Sequence, residues 1–352
     1  LTPEHREAAR KTAQRSIVLL KNQNNVLPLK KELKTLAIIG PLADDKESPL
    51  GPWHAMGKPE DVIPVLEGIK AKLGPGTKVL FTRGCEVEKP SMSGFTEALD
   101  VARQADVVVV VVGESGQMSG EAESRSNIGL PGSQEDLVRA LQGTGKPVVV
   151  VLMNGRPLAL QWIAENVPSI VETWFLGVET GNAIADVLFG DYNPSGKLTT
   201  SFPRATGQVP IYYNHKNTGR PAVDSVKWTS KYLDLNNSPL YPFGYGLSYT
   251  TYSYSQLALS AKALKPAESM LVSVTVKNTG NRSGEEVVQL YARDEVASVT
   301  RHVRELKGFR KISLTPGESK RVQFILTPED LKFYDRDMKW TVEPGRFSLY
   351  VG

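Results

Sequence analysis

Two glycine-rich stretches, each following an apolar run, hold the side chains best suited to chemistry. One runs from Gly113 to Asn127 and carries Glu114, Glu121, Glu123 and Arg125 among glycines and serines. The other, Leu50-Gly51-Pro52-Trp53-His54-Ala55-Met56-Gly57, offers an indole and an imidazole. Glycines let the backbone approach a ligand. A carboxyl group on a loop between domains can be partly desolvated, which raises its pKa towards what a general acid needs near neutrality. Trp53 stands where helix or strand packing does not demand it, and an exposed indole face suits the apolar C–H face of a sugar ring. Each residue also has a plainer reading: loop carboxylates are commonly solvated, tryptophan commonly closes a loop onto a core, and a loop histidine such as His54 is commonly incidental.

Rival chemistries find little purchase. Gly113-Glu114-Ser115-Gly116 does not match the G-x-S-x-G nucleophile turn, and no histidine is appointed to it. No G-x-G-x-x-G follows the first apolar strand and no Walker loop occurs, so nucleotide fingerprints are missing. The four histidines, His5, His54, His215 and His302, lie far apart, and Cys85 is the lone cysteine, so no metal site and no cofactor are expected.

The elements that must position these loops can be read from periodicity. Thr2-Pro3-Glu4 starts a helix, with threonine as cap, that runs towards Ile17-Val18-Leu19-Leu20 and stops at Asn22 to Asn25. Strands are expected at Thr35–Gly40, Val79–Phe81, Asp106–Gly113 with its six consecutive valines, Pro147–Leu152 and Ser169–Trp174. Helices are expected at Val62–Leu73, Phe95–Ala105, Ser133–Leu141, Ala159–Asn166 and Gly181–Phe189, with Ser133 and Asp136 forming a capping-box-like pair. Such alternation means a doubly wound, mostly parallel sheet in an αβα sandwich, with functional loops at the carboxyl ends of its strands. Trp162 and Trp174, in apolar contexts, read as core.

Residues 1–202 are assigned to this sandwich. Residues 203–249, rich in Pro, Gly, Asn and Tyr, read as an ordered linker wrapped over a surface. From 250 to 352 the period becomes two: Met270, Val272, Val274 and Val276 share a face, as do Val322, Phe324 and Leu326, and Phe347, Leu349 and Val351. Turns at 278–281, 315–317 and 343–345 separate these strands, which suits an all-β fibronectin type III-like sandwich lacking a Cys–Trp–Cys signature.

Composition sets bounds on partners. With 352 residues, 40% hydrophobic and 23% charged, the chain can bury a sizeable core in two domains. Forty-two basic and 38 acidic side chains leave a formal charge of +4, spread along the chain, which argues against nucleic acid as a partner. No apolar run approaches the roughly 18 residues of a membrane helix, so no membrane span is expected. The chain opens at Leu1 with no methionine and no signal-peptide pattern, and so reads as processed, cut or truncated.

Longer blocks carry a resemblance. Arg15-Ser16-Ile17-Val18-Leu19-Leu20-Lys21-Asn22 with Leu27-Pro28-Leu29, Met153-Asn154-Gly155-Arg156-Pro157, the run Asp186 to Leu198, and the run Tyr241 to Thr250 resemble the second half of glycoside hydrolase family 3 enzymes. The likeness is closest to bacterial periplasmic β-glucosidases and covers essentially the whole chain. It implies retaining hydrolysis of terminal β-linked sugars through a covalent glycosyl-enzyme, in a periplasmic or secreted protein, on a β-linked oligosaccharide or glucoside. It implies an aspartate nucleophile in an N-terminal (β/α)8 barrel and an acid/base glutamate on a second-domain loop. Glu121 takes that position, with Glu123 as the fallback. Trp53 matches an aromatic lining the outer sugar site, and His54 and Arg125 are carried as further substrate-binding candidates. No Ser-Asp-Trp nucleophile motif and no eight-fold barrel occur in these residues, so the chain alone is expected to be inactive and to need the barrel portion as its partner. A β-xylosidase or other exo-β-glycosidase remains open, as does a non-catalytic carbohydrate-binding or scaffold fragment.

Overall fold

The computed structural model describes residues 1–266 and 268–352 and divides them into two compact units. The first comprises Leu1–Val209 and Pro239–Tyr249, the second Pro210–Ser238 and Thr250–Gly352. The segment 203–249 is therefore shared. Its last part returns to the first unit, where Tyr241 bridges Phe202 and Leu247 bridges Leu19. Its middle part belongs to the second unit, where the Tyr213 hydroxyl accepts the Leu306 N–H and the ring meets Tyr291 edge-on.

Helix α1 (Pro3–Ser16) starts as the sequence suggests, with the Thr2 hydroxyl accepting the His5 N–H. It ends earlier than expected. Ile17 turns to extended backbone, and Val18–Asn22 forms strand β1. Four consecutive apolar residues leave no polar face for a surface helix, and all four side chains, Ile17 and the first three of the strand, are buried. Further along come β2 (Thr35–Ile39), α2 (Val65–Lys72), β3 (Lys78–Thr82), α3 (Phe95–Arg103), β4 (Val107–Gly113), α4 (Gln134–Gln142), β5 (Val148–Met153), α5 (Gln161–Asn166), β6 (Ser169–Glu172) and α6 (Thr180–Leu188). The expected capping box at Ser133 does not form. The Ser133 hydroxyl instead accepts the Ser91 N–H, tying α4 to the loop before α3.

These strands make one six-stranded sheet in the order β1-β6-β5-β4-β2-β3, parallel except for β1, which pairs antiparallel with β6. The valine strand shows why the sheet needs cover on both faces. Val108, Val110 and Val112 enter a core shared with α3, α4 and α5, while Val107, Val109 and Val111 enter one shared with α1, α2 and α6. A buried carboxylate ties the second layer together. Arg10 donates two hydrogen bonds of 2.6 Å to Asp186 on α6, Gln14 donates one of 2.7 Å, and Lys72 from α2 pairs with it as well. Burial pushes the Asp186 carboxyl up, but these donors outweigh it and hold the group below its ordinary value.

The second unit has strands β7 (Tyr252–Leu259), β8 (Met270–Asn278), β9 (Gly284–Asp294), β10 (Glu305–Leu314), β11 (Ser319–Leu326), β12 (Phe333–Tyr334), β13 (Trp340–Thr341) and β14 (Phe347–Val351). They form antiparallel sheets β10-β9-β14 and β11-β8-β7, with β12 and β13 as a short pair. Val272, Val274 and Val276 share one core with Phe324 and Leu326 of the neighbouring strand β11 and with Val288 and Leu290 of the other sheet, as the alternation predicts.

At the carboxyl end of β6, Glu172 is fully buried. Its carboxyl accepts the Trp174 N–H at 2.9 Å and the Asn154 amide at 3.2 Å. Burial pushes its pKa up to about 8 against these donors, and the nearby Glu114 adds to the rise, so Glu172 is neutral at pH 7. With a folded value above the ordinary 4.5, the native state holds this proton longer than the unfolded chain. The contribution of Glu172 to stability is therefore fully present below about pH 4.5 and is lost as pH rises towards 8. Glu172→Gln, which cannot ionise, should gain stability relative to the parent across that window in chemical denaturation. Parallel pH profiles for the two proteins would show that Glu172 is already ionised in the fold.

Candidate active site

The order β1-β6-β5-β4-β2-β3 reverses its direction of winding between β2 and β4. In an open parallel sheet the crevice for ligands forms outside the carboxyl ends of the strands at such a reversal. The loops leaving those two strands are the ones singled out by residue type. β2 leads through Gly40 to Trp53, and β4 leads through Gly113 to Glu121.

Backbone geometry brings the two loops together. Gly120 has φ +149°, and a Cβ there would lie 3.0 Å from the Pro52 side chain and 4.0 Å from the Trp53 ring. A side chain at 120 would thus be both strained and crowded, so glycine lets the loops touch. Next to it, Ala122 adopts φ +64°, a tight turn that separates Glu121 from Glu123. Both glutamates are exposed in this chain, so the desolvation looked for from sequence is not supplied by these residues. Trp53 is 71% exposed, with Met56 and His54 exposed beside it. The indole therefore does not close the loop onto the core. Trp162 and Trp174, by contrast, pack half-buried against the sandwich.

Beneath the exposed carboxyls lies a buried one. Glu114 is 0% exposed, and its N–H donates to the Met153 carbonyl at the end of β5. Its carboxylate accepts the Arg125 guanidinium at 2.7 Å and pairs with Arg156 at 3.1 Å. Arg125 also donates to the Gly129 carbonyl, and Arg156 to the carbonyls of Met118 and Glu123. A charge removed from water needs such pairing, and two guanidiniums supply it.

Trp53, His54, Glu121 and Glu123 are thus exposed on adjoining loops, whereas Arg125 directs its terminal nitrogens at Glu114 and Gly129. Glu114, Arg156 and Glu172 were not picked out as a group by sequence. The available signal was a charged residue at or just past the carboxyl end of three neighbouring strands, β4, β5 and β6. An exposed carboxyl beside an exposed indole can donate a proton to, or take one from, a ligand stacked on the ring. Among the described residues no group of three or more His, Cys, Asp and Glu side chains could hold a metal ion.

Residues 17–249 match the model of the glycosyl hydrolase family 3 C-terminal domain, and residues 286–352 that of a fibronectin type III-like domain. A periplasmic beta-glucosidase of Salmonella typhimurium is 49% identical over 99% of this chain and 48% of its own length. A beta-xylosidase of Formosa agariphila is 46% identical over all of the chain and 48% of its own length. The crystal structure of a beta-glucosidase from Listeria innocua in complex with isofagomine superposes with a TM-score of 0.95 at 42% identity, covering all of this chain and 49% of that one. The chain thus spans about half the length of these relatives. It belongs to glycoside hydrolase family 3, of which it carries the C-terminal domain and the fibronectin type III-like domain.

Proposed function

We propose that this chain is the acid/base half of a retaining, exo-acting β-glucosidase that removes terminal non-reducing β-D-glucosyl residues. Glu121 is the acid/base, and an aspartate in an N-terminal barrel portion is the nucleophile. The observation that carries this reading is the meeting of the Glu121 loop and the Trp53 loop at the winding reversal of the sheet, with both side chains exposed. Retaining hydrolysis needs two carboxyl groups about 5–5.5 Å apart. No Ser-Asp-Trp motif lies within these residues to supply the second. The length of the relatives, about twice that of this chain, leaves room for a barrel that would face the two loops.

In this scheme Glu121 protonates the glycosidic oxygen while the barrel aspartate attacks the anomeric carbon. Glu121, now ionised, then takes a proton from the water that releases the sugar. Trp53 stacks on the outer sugar ring, and His54 stands beside it as a donor to a hydroxyl. The name of the Salmonella relative supports a periplasmic or secreted location, and no helix is long and apolar enough to cross a membrane among the described residues. A β-xylosidase is the second reading, favoured by the Formosa relative.

In the full-length enzyme, Glu121→Ala should slow hydrolysis of substrates with poor leaving groups by roughly 10²–10⁴-fold. Nitrophenyl glucosides, which leave without protonation, should suffer less, and azide should restore turnover by attacking the intermediate without a base. If Glu123→Ala shows this pattern and Glu121→Ala does not, the assignment moves to Glu123. Trp53→Ala should raise KM for disaccharides more than for small aryl glucosides; equal effects on both would make Trp53 a residue of the fold.

A further inference from the structure

The tip that carries Glu121 is exposed and contains Gly120, yet an acid/base must be placed to within a fraction of an ångström. What holds it lies outside the loop. Arg156, just past the end of β5, donates from Nη2 to the Met118 carbonyl and, at 2.7 Å, to the Glu123 carbonyl. Those two carbonyls bracket the segment Ser119–Ala122, in which Glu121 sits. The Nε of the same guanidinium lies 3.1 Å from the buried Glu114 carboxylate, which anchors it to the sheet. Gly155 completes the fit: a Cβ there would come within 2.3 Å of the Ser119 hydroxyl and 2.9 Å of the Phe175 ring. The backbone of β5's exit is therefore pressed directly against the base of the tip.

We infer that Arg156, anchored by Glu114, is the positioning residue for the acid/base of this enzyme: it pins both ends of the Glu121 tip to the sheet without meeting the substrate. This inference rests on the assignment of Glu121 above. The guanidinium is planar and presents several donors in a fixed fork, so one side chain can bind a carboxylate and two carbonyls at once. A lysine in its place keeps a positive charge near Glu114 but has no such fork. Arg125 grips Glu114 from the other side and holds the outgoing strand of the loop at Gly129, beyond the tip. The division of labour makes Arg156 the residue whose loss is felt at Glu121.

The test uses the full-length enzyme with Arg156→Lys, Arg156→Ala and Glu121→Ala, assayed on a dinitrophenyl glucoside, a phenyl glucoside and a disaccharide, with and without azide. Misplacing a reacting group by about 1 Å can cost on the order of 10²-fold. Arg156→Lys should therefore depress kcat/KM for the phenyl glucoside and the disaccharide by tenfold or more, on the order of that limit. The dinitrophenyl glucoside should be affected far less, and azide should raise the variant's turnover. In the Glu121→Ala background, Arg156→Lys should have little further effect on poor leaving groups, since both remove the same proton transfer. A uniform loss across all three substrates with no azide response, or no loss at all, would overturn the inference while the Glu121→Ala signature leaves the reading of Glu121 standing. Absence of that signature from Glu121→Ala would overturn both. If Arg156→Ala does not fold, Arg156→Lys, checked by thermal unfolding against the parent, decides the matter.

Discussion

Taking the Glu114 carboxylate out of water costs several kcal/mol unless oppositely charged donors meet it, and the surrounding chain is arranged to meet that demand. Glu114 lies directly past a strand of six valines whose faces are both covered, so the group cannot reach solvent without pulling the strand out of the sheet. Its N–H is already committed to Met153 on the next strand. Two guanidiniums must therefore come to it, and each brings loop backbone along. Arg125 folds the loop back on itself through Gly129, and Arg156 collects Met118 and Glu123. The same electrostatics explain the neutral Glu172 nearby: with one carboxylate fixed and paired, burial and that neighbour keep the second one protonated up to about pH 8.

That arrangement sets the relation between the rigid sheet and the exposed tip. Adjacent strands β2 and β4 leave the sheet where its winding reverses, so their loops share one edge. Gly120 allows them to touch, and the Glu114 centre keeps the second from drifting. Trp53 and Glu121 are then presented outwards on adjoining loops. The fibronectin type III-like unit, with its own core of Val272, Val274, Val288 and Leu290, supplies none of the candidate site residues.

Much of this architecture is legible in the chain because burial on both faces leaves a plain mark. The valine runs of β4 and β5 could be little else than central parallel strands, and the alternation from Met270 to Val276 announces a half-buried antiparallel one. Ile17 to Leu20 misleads because a short apolar run has no periodicity to tell a helix end from a strand, and only the partner β6 decides it. Ser133 misleads for a tertiary reason: its hydroxyl accepts the Ser91 N–H instead of one from its own helix. The two loops could be flagged from glycine, carboxylate and indole content, but choosing Glu121 among three glutamates needed the family resemblance. The Glu114–Arg156 contact joins residues 42 positions apart, and a charged loop residue looks solvated until the fold shows it buried. Arg125, carried from sequence as a sugar contact, has its guanidinium turned inwards for the same reason.

The claim that this chain holds the acid/base but not the nucleophile can be tested by trapping. A 2-fluoro glucoside with a good leaving group should accumulate as a covalent glycosyl-enzyme on the full-length protein, and digestion followed by mass spectrometry would locate the sugar. The account predicts the label on an aspartate outside the residues described here, with none on Glu121 or Glu123. A label on any carboxylate between Leu1 and Gly352 would contradict it.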